Sequence, residues 1–163
     1  MIFENEFEKQ KHGIIGIAQR ENNNKRNYLF VNRFQAKHIP VSPSKALNLF
    51  QKLGEKVYCD YKNKKTTMIG FAETATAIAS AIAIHCPDDV YYIHTSRESL
   101  PSKYNVVEFK EEHSHATQQI LYCKNPEEML YQSEKILFIE DEITTGKTIL
   151  NFIDALQKKG VHA

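Results

Sequence analysis

The chain has 163 residues, 42% hydrophobic and 25% charged, the length of about one domain and an ordinary composition for a globular fold with one sizeable core. No apolar run approaches the roughly 20 residues needed to span a bilayer. The opening Met1-Ile-Phe-Glu-Asn-Glu-Phe-Glu8 is acidic where a secretory signal is basic and then apolar, so no membrane partner is expected and a cytoplasmic location is. Cys59, Cys86 and Cys123 are odd in number and far apart, which argues against a disulfide framework or a structural zinc site. The net charge of +1 hides an asymmetry: residues 1–65 carry 13 Lys/Arg and 6 Asp/Glu, residues 66–163 carry 8 and 14. That pattern fits a nucleic-acid surface, an anionic small ligand, or charge complementarity within the molecule.

Residues 1–27 lack sustained periodicity and are expected to form an N-terminal arm that packs through Ile14, Ile15 and Ile17, with room for one short strand. Residues 28–163 are expected to form one domain. Tyr28-Leu-Phe-Val31 reads as a strand. Ser42-Pro43 supplies an N-cap followed by proline at the first helical position, and Ala46, Leu47, Leu49, Phe50 and Leu53 share a helical face. The helix is expected over 43–53, with Gly54 as a left-handed C-cap. Thr66 to Ile69, Thr74 to His85 and Val90 to His94 then read as strand, helix and strand, a βαβ unit with parallel strands whose helix is stopped by Pro87. Val106 to Phe109 and Gln119 to Tyr122 predict a hairpin with exposed arms around the polar tip 110–118. Asn125 caps a short helix through Met129 and Leu130. Ile136-Leu-Phe-Ile139 is a continuous apolar run, the pattern of a strand buried on both faces. It leads through Glu140-Asp-Glu-Ile-Thr-Thr-Gly-Lys-Thr148 into a helix ending near Gly160. Val161 starts what looks like another strand, so the domain is expected to be truncated at its C-terminus.

Residues 136–148 carry the chemistry. Ligands of open parallel sheets bind at the carboxyl ends of the strands. A helix start there offers backbone N–H groups and the positive end of the helix dipole, while Thr144, Thr145 and Thr148 add hydroxyls and Gly146 adds no bulk. Such a cradle fits a phosphate monoester. Carboxylates just before it would repel the ligand unless they bind sugar hydroxyls or a divalent cation, needs that a ribose phosphate carrying Mg²⁺ meets together. Gly146-Lys-Thr148 is not the end of a Walker A loop, because G-x-x-x-x-G-K-[ST] requires glycine where Asp141 stands.

Four apolar residues, two acids, a variable pair and Thr-Thr-Gly-x-Thr resemble the phosphoribosyl-pyrophosphate (PRPP) motif of type I phosphoribosyltransferases. The resemblance implies a Rossmann-like α/β fold, a mostly parallel sheet flanked by helices with a protruding β-hairpin flexible loop. It implies that Glu140 and Asp141 contact the ribose hydroxyls and, through them, Mg²⁺. Ile143, Thr144, Thr145, Gly146, Lys147 and Thr148 would wrap the 5′-phosphate, although Lys147 also reads as a solvated helix side chain. Gly70-Phe-Ala-Glu-Thr74 sits where the family places its pyrophosphate loop, which assigns Phe71, Ala72, Glu73 and Thr74 to pyrophosphate. Glu73 departs from the neutral or basic residues usual there; pointing away, capping the helix and helping to hold Mg²⁺ all remain open for it. Arg97 is similar to the basic residue that meets pyrophosphate, with a solvated loop arginine as the bland alternative. Lys110-Glu-Glu-His-Ser-His-Ala116 occupies the place of the catalytic loop that keeps water from an oxocarbenium-like transition state, where His113 and His115 would assist. Phe30 to Pro40, Gly70 to Ala75, His94 to Glu98 and Glu111 to Ala116 together resemble the orotate-phosphoribosyltransferase-like proteins of bacterial tellurium-resistance and stress-response gene clusters.

The resemblance implies transfer of 5-phosphoribosyl from PRPP to a base-like acceptor, with Mg²⁺ as cofactor, and allows a homodimer. Two other readings stand beside it. One is a PRPP- or nucleotide-sensing module without turnover. The other is a nucleic-acid-binding module using Arg20, Lys25, Arg26, Arg33, Lys37 and Lys45 with Tyr28, Phe30 and Phe34 interleaved; it lacks any recognised binding motif, so no nucleic-acid partner is expected.

Overall fold

The computed structural model describes residues 2–3, 13–19, 27–37, 39–86, 90–101, 104–110 and 118–162, divided into two compact units, 1–49 and 50–163. Among the described residues no helix is long and apolar enough to cross a membrane.

In the first unit β1 (Ile2–Phe3), β2 (Ile15–Gln19) and β3 (Tyr28–Asn32) form an antiparallel sheet in that order. The segment expected as an arm therefore supplies two strands. Gly16 opposes Val31 and Ile17 opposes Phe30; Val31 is buried and Phe30 exposed, the alternation of a sheet with one covered face. Tyr28 and Phe30 meet edge to face at 5.9 Å.

Helix α1 runs Pro43–Tyr61, eight residues beyond the expected end at Leu53. Gly54 is not its cap. A Cβ at Gly54 would lie 3.0 Å from Ile82 Cγ2, so glycine stands there to let α1 approach the next helix closely. The left-handed residue after the helix is Asn63, with φ 59°, a conformation asparagine tolerates better than most side chains.

The second unit is built on a five-stranded sheet in the order β6-β7-β5-β4-β8, with β4 Thr66–Gly70, β5 Val90–Ser96, β6 Asn105–Lys110, β7 Gln118–Cys123 and β8 Lys135–Ile139. β4 is parallel to both β5 and β8, and β7 is antiparallel to β5 and β6. Helix α2 (Thr74–Ala83) crosses between β4 and β5, and helix α3 (Lys147–Lys158) follows β8. They lie on opposite faces of the sheet. Alternation along β4 directs Gly70 to α2, where its Cα faces Ala79, and Ile69 to the cluster that holds Phe152 and Leu156 of α3.

The expected short helix is a five-residue π-type turn, Glu127–Tyr131, with Pro126 rather than Asn125 at its N-cap position; Asn125 instead accepts the Met129 N–H at 3.0 Å through its backbone carbonyl. Two further expectations are corrected. The hairpin arms are not exposed, since Val107, Phe109, Ile120, Leu121 and Cys123 are buried. β7 pairs with β5, and α3 is tied to the end of β6 by Asn151 Nδ2 donating to Lys110 O at 3.0 Å. Strand β8 is not buried on both faces: all five residues are half-buried, because among the described residues it has a partner, β4, on one side only.

Phe71, Phe109, Phe138 and Phe152 form the centre of the core. Phe152 lies 5.4 Å from Phe71, 4.4 Å from Phe109 and 5.6 Å from Phe138, ring centre to ring centre, and is fully buried. Truncating it removes partners from three elements at once. Phe152→Ala is expected to lower unfolding free energy by about 3–5 kcal/mol, read from the midpoint of a urea titration. Gly70→Ala would place a Cβ 2.8 Å from Ala79 Cβ and 3.1 Å from Ala75 O; about 1–3 kcal/mol of destabilisation is expected from that overpacking.

Candidate functional site

The parallel register sets Gly70 level with His94 on one side and Ile139 on the other. The three carboxyl ends therefore open at one edge, and the chain leaves them as the segments beginning at Phe71, at the end of β5, and at Glu140. This is where a ligand is expected in an open α/β sheet. Phe71 N–H donates to Ile139 O at 3.1 Å, which extends the β4–β8 pairing one step and joins the first loop to the last.

The loop after β8 is open. Glu140 and Asp141 are half-buried, Glu142 to Thr145 are exposed and Ile143 retains 65% of its exposure. Asp141 N–H donates to Glu140 Oε1 at 3.1 Å, so the first carboxylate helps set the turn that presents the second. Gly146 has φ 76° and a Cβ there would meet nothing within 4 Å. What glycine supplies is the left-handed turn into α3, not the space expected from the sequence. Thr145 Oγ1 accepts the Lys147 N–H at 3.3 Å; Lys147 is exposed and Thr148 half-buried in the first turn, where helix N–H groups lack acceptors within the helix.

In the loop after β4 the ring of Phe71 points inward, 1% exposed, so only its backbone belongs to the site edge. Ala72 and Glu73 are joined by a cis peptide bond. Glu73 is exposed and occupies the N-cap position of α2, but its side chain makes no capping bond; Thr76 instead donates through Oγ1 to Glu73 O at 2.7 Å. Its carboxylate still sits at the positive end of the helix, a favourable place for a negative charge. Arg97 is exposed, just beyond β5. Glu140, Asp141, residues 143–148, residues 71–74 and Arg97 thus all lie at one sheet edge. His113 and His115 lie outside the described residues.

Sequence reasoning missed two residues at this edge. Thr95 and Gln119 are buried polar side chains bonded to the backbone of Ala72. The available signal was a glutamine beside the apolar Ile120-Leu121, too common a pattern to single out. Of the cysteines whose side chains are described, Cys123 is buried, which pushes its thiol up from its ordinary value, and Cys86 stands beside Tyr61, 3.3 Å from its hydroxyl.

An acidic pair, a glycine-containing turn into a helix and a second helix start thus stand together at one edge of the sheet in an α/β fold. A family model described as phosphoribosyl transferase matches residues 14–163. The chain belongs to that family, and its class is therefore the phosphoribosyltransferases, enzymes of the glycosyltransferase group. No curated protein matches significantly. Solved structures agree on the fold. The adenine phosphoribosyltransferase of Rhodothermus marinus superposes with a TM-score of 0.59 at 14% identity, covering 93% of this chain and 78% of that one. The Saccharomyces cerevisiae enzyme gives 0.58 at 11%, covering 93% and 81%. The Trypanosoma brucei enzyme gives 0.61 at 12%, covering 98% and 64%.

Because Gly146 is needed for its positive φ and not for space, Gly146→Ala should cost about 1–2 kcal/mol of stability, read by urea denaturation. A D-alanine introduced at 146 by semisynthesis, which favours positive φ, should recover it.

Proposed function

We propose that this chain binds PRPP with Mg²⁺ at the carboxyl edge of β4, β5 and β8 and transfers its 5-phosphoribosyl group to a nitrogenous base, releasing pyrophosphate. The observation that carries the proposal is the juxtaposition of Glu140-Asp141 and the 143–148 loop with the 71–74 loop across the Phe71–Ile139 hydrogen bond. A ligand with a phosphate at one end, a diol in the middle and a diphosphate at the other meets a complementary group at each place. The yeast and Trypanosoma neighbours are complexed, respectively, with an iminoaltritol bisphosphate and adenine, and with AMP, pyrophosphate and ribose-5-phosphate, which supports this ligand class.

In the reaction the bond from C1′ to the pyrophosphate oxygen breaks, pyrophosphate keeps the electron pair, and a bond from C1′ to the acceptor nitrogen forms as that nitrogen loses its proton. Residues 143–148 hold the 5′-phosphate at the start of α3, so that the ribose is anchored while C1′ moves. Glu140 and Asp141 accept from the 2′- and 3′-hydroxyls and stabilise positive charge developing on the ring. The loop at residues 71–74 and Arg97 receive the diphosphate. Among the described residues no group of three or more His, Cys, Asp or Glu forms a metal cage. Hard carboxylate oxygens from Glu140 and Asp141 nevertheless fit magnesium in its usual mode, one or two carboxylates with the remaining ligands from substrate. When bound there, it would supply charge neutralisation of the diphosphate.

The segments 30–40, 70–75, 94–98 and 111–116 support a finer placement with the orotate-phosphoribosyltransferase-like proteins of tellurium-resistance and stress-response gene clusters.

Calorimetric titration of PRPP with Mg²⁺ should show saturable binding, weakened about tenfold or more in Asp141→Asn, which keeps the shape and removes a charge-assisted hydrogen bond. Chelating Mg²⁺ should weaken it as well. Pyrophosphate release across a panel of bases then identifies the acceptor; the absence of PRPP binding by the wild-type chain would overturn the proposal.

A further inference from the structure

Thr95 and Gln119 are buried at 0% and 2% exposure, on β5 and β7, where apolar side chains would pack without needing partners. Burying a hydroxyl and an amide is costly unless both are hydrogen-bonded. Here they close a ring with one residue of the first loop. Ala72 N–H donates to Thr95 Oγ1 at 2.8 Å, the Thr95 hydroxyl donates to Gln119 Oε1, and Gln119 Nε2 donates to Ala72 O at 3.0 Å. Both backbone groups of Ala72 are thus held from beneath by side chains of two other strands. Phe71 is fixed at the same time by its N–H on Ile139 O and by its ring in the core.

We propose that Thr95 and Gln119 are positioning residues that lock the Ala72 peptide groups and thereby aim the loop at residues 71–74 toward a diphosphate. This rests on the function proposed above and refines it. The Ala72 amide is committed to Thr95 and faces the protein, so Ala72 is the anchor of the loop, and the diphosphate is left to the backbone amides of Glu73 and Thr74 at the start of α2. Gln119 stands near the start of β7, the second arm of the hairpin, so a single network joins the base of the hairpin to the pyrophosphate loop. None of its three hydrogen bonds involves residues 143–148.

The separation of the two loops supplies the test. Magnesium pyrophosphate and ribose 5-phosphate are titrated separately by calorimetry into the wild-type chain, Gln119→Leu, Thr95→Val and Thr95→Ser. Loss of one buried hydrogen bond that orients the loop should weaken pyrophosphate about tenfold in Gln119→Leu and Thr95→Val. Ribose 5-phosphate should change by no more than about twofold, and Thr95→Ser, which keeps the hydroxyl, should bind pyrophosphate as the wild type does. Thr95→Val preserves side-chain volume and decides the matter alone if Gln119→Leu does not fold. Unchanged pyrophosphate affinity in the variants, or equal losses for both ligands, would overturn the positioning role while leaving the proposed function standing. A wild-type chain that binds neither ligand would overturn both.

Discussion

The hydrogen bond from Phe71 N–H to Ile139 O is short in extent and wide in consequence. It comes at the point where β4 and β8 stop being strands, and it keeps the two departing loops side by side. It holds because the ring attached to the same residue is buried among Phe109, Phe138 and Phe152, contributed by β6, β8 and α3. Apolar burial of an aromatic side chain is worth a few kcal/mol, more than the net contribution of one backbone hydrogen bond. The core therefore fixes the ends of the loops, and the loops beyond them are left polar and open.

Two sets of buried polar side chains serve opposite ends of this sheet. Thr67 and Ser133, 2.9 Å apart through their hydroxyls, both reach the Met129 carbonyl and tie the turn at 127–131 to the amino half of β4. That set lies at the end of the sheet away from the ligand edge and serves the fold. Thr95 and Gln119 make the corresponding attachment at the carboxyl end, where what they hold is the backbone of Ala72 in the loop after β4. The same chemistry, a hydroxyl and its partner satisfying a backbone group in a dry place, ties a turn to β4 at one end and fixes a loop at the other.

Local signals were legible where the chain itself dictates the answer. The acid pair before Thr-Thr-Gly-Lys-Thr pointed to the family because the motif lies in residue type at short spacing. Proline at position 43 marked the start of α1 because its φ suits the first helical turn. Gly54 misled, since a glycine that ends a helix and one that admits a neighbouring helix look alike until Ile82 is seen packed on it. The hairpin misled for a related reason. Its arms alternate too weakly to reveal a buried face, and only the pairing of β7 with β5 shows that this face exists.

From sequence alone came the family and the strand and helix order of the second unit, because these depend on residue type at short spacing. Tertiary structure decided how far α1 runs, which side of β8 is covered, why Gly146 must be glycine, and which side chains hold Ala72. Those outcomes depend on which distant segments come into contact, Gly54 with Ile82 or Ala72 with Thr95 and Gln119, and no local periodicity records the distance between residues that only folding brings together.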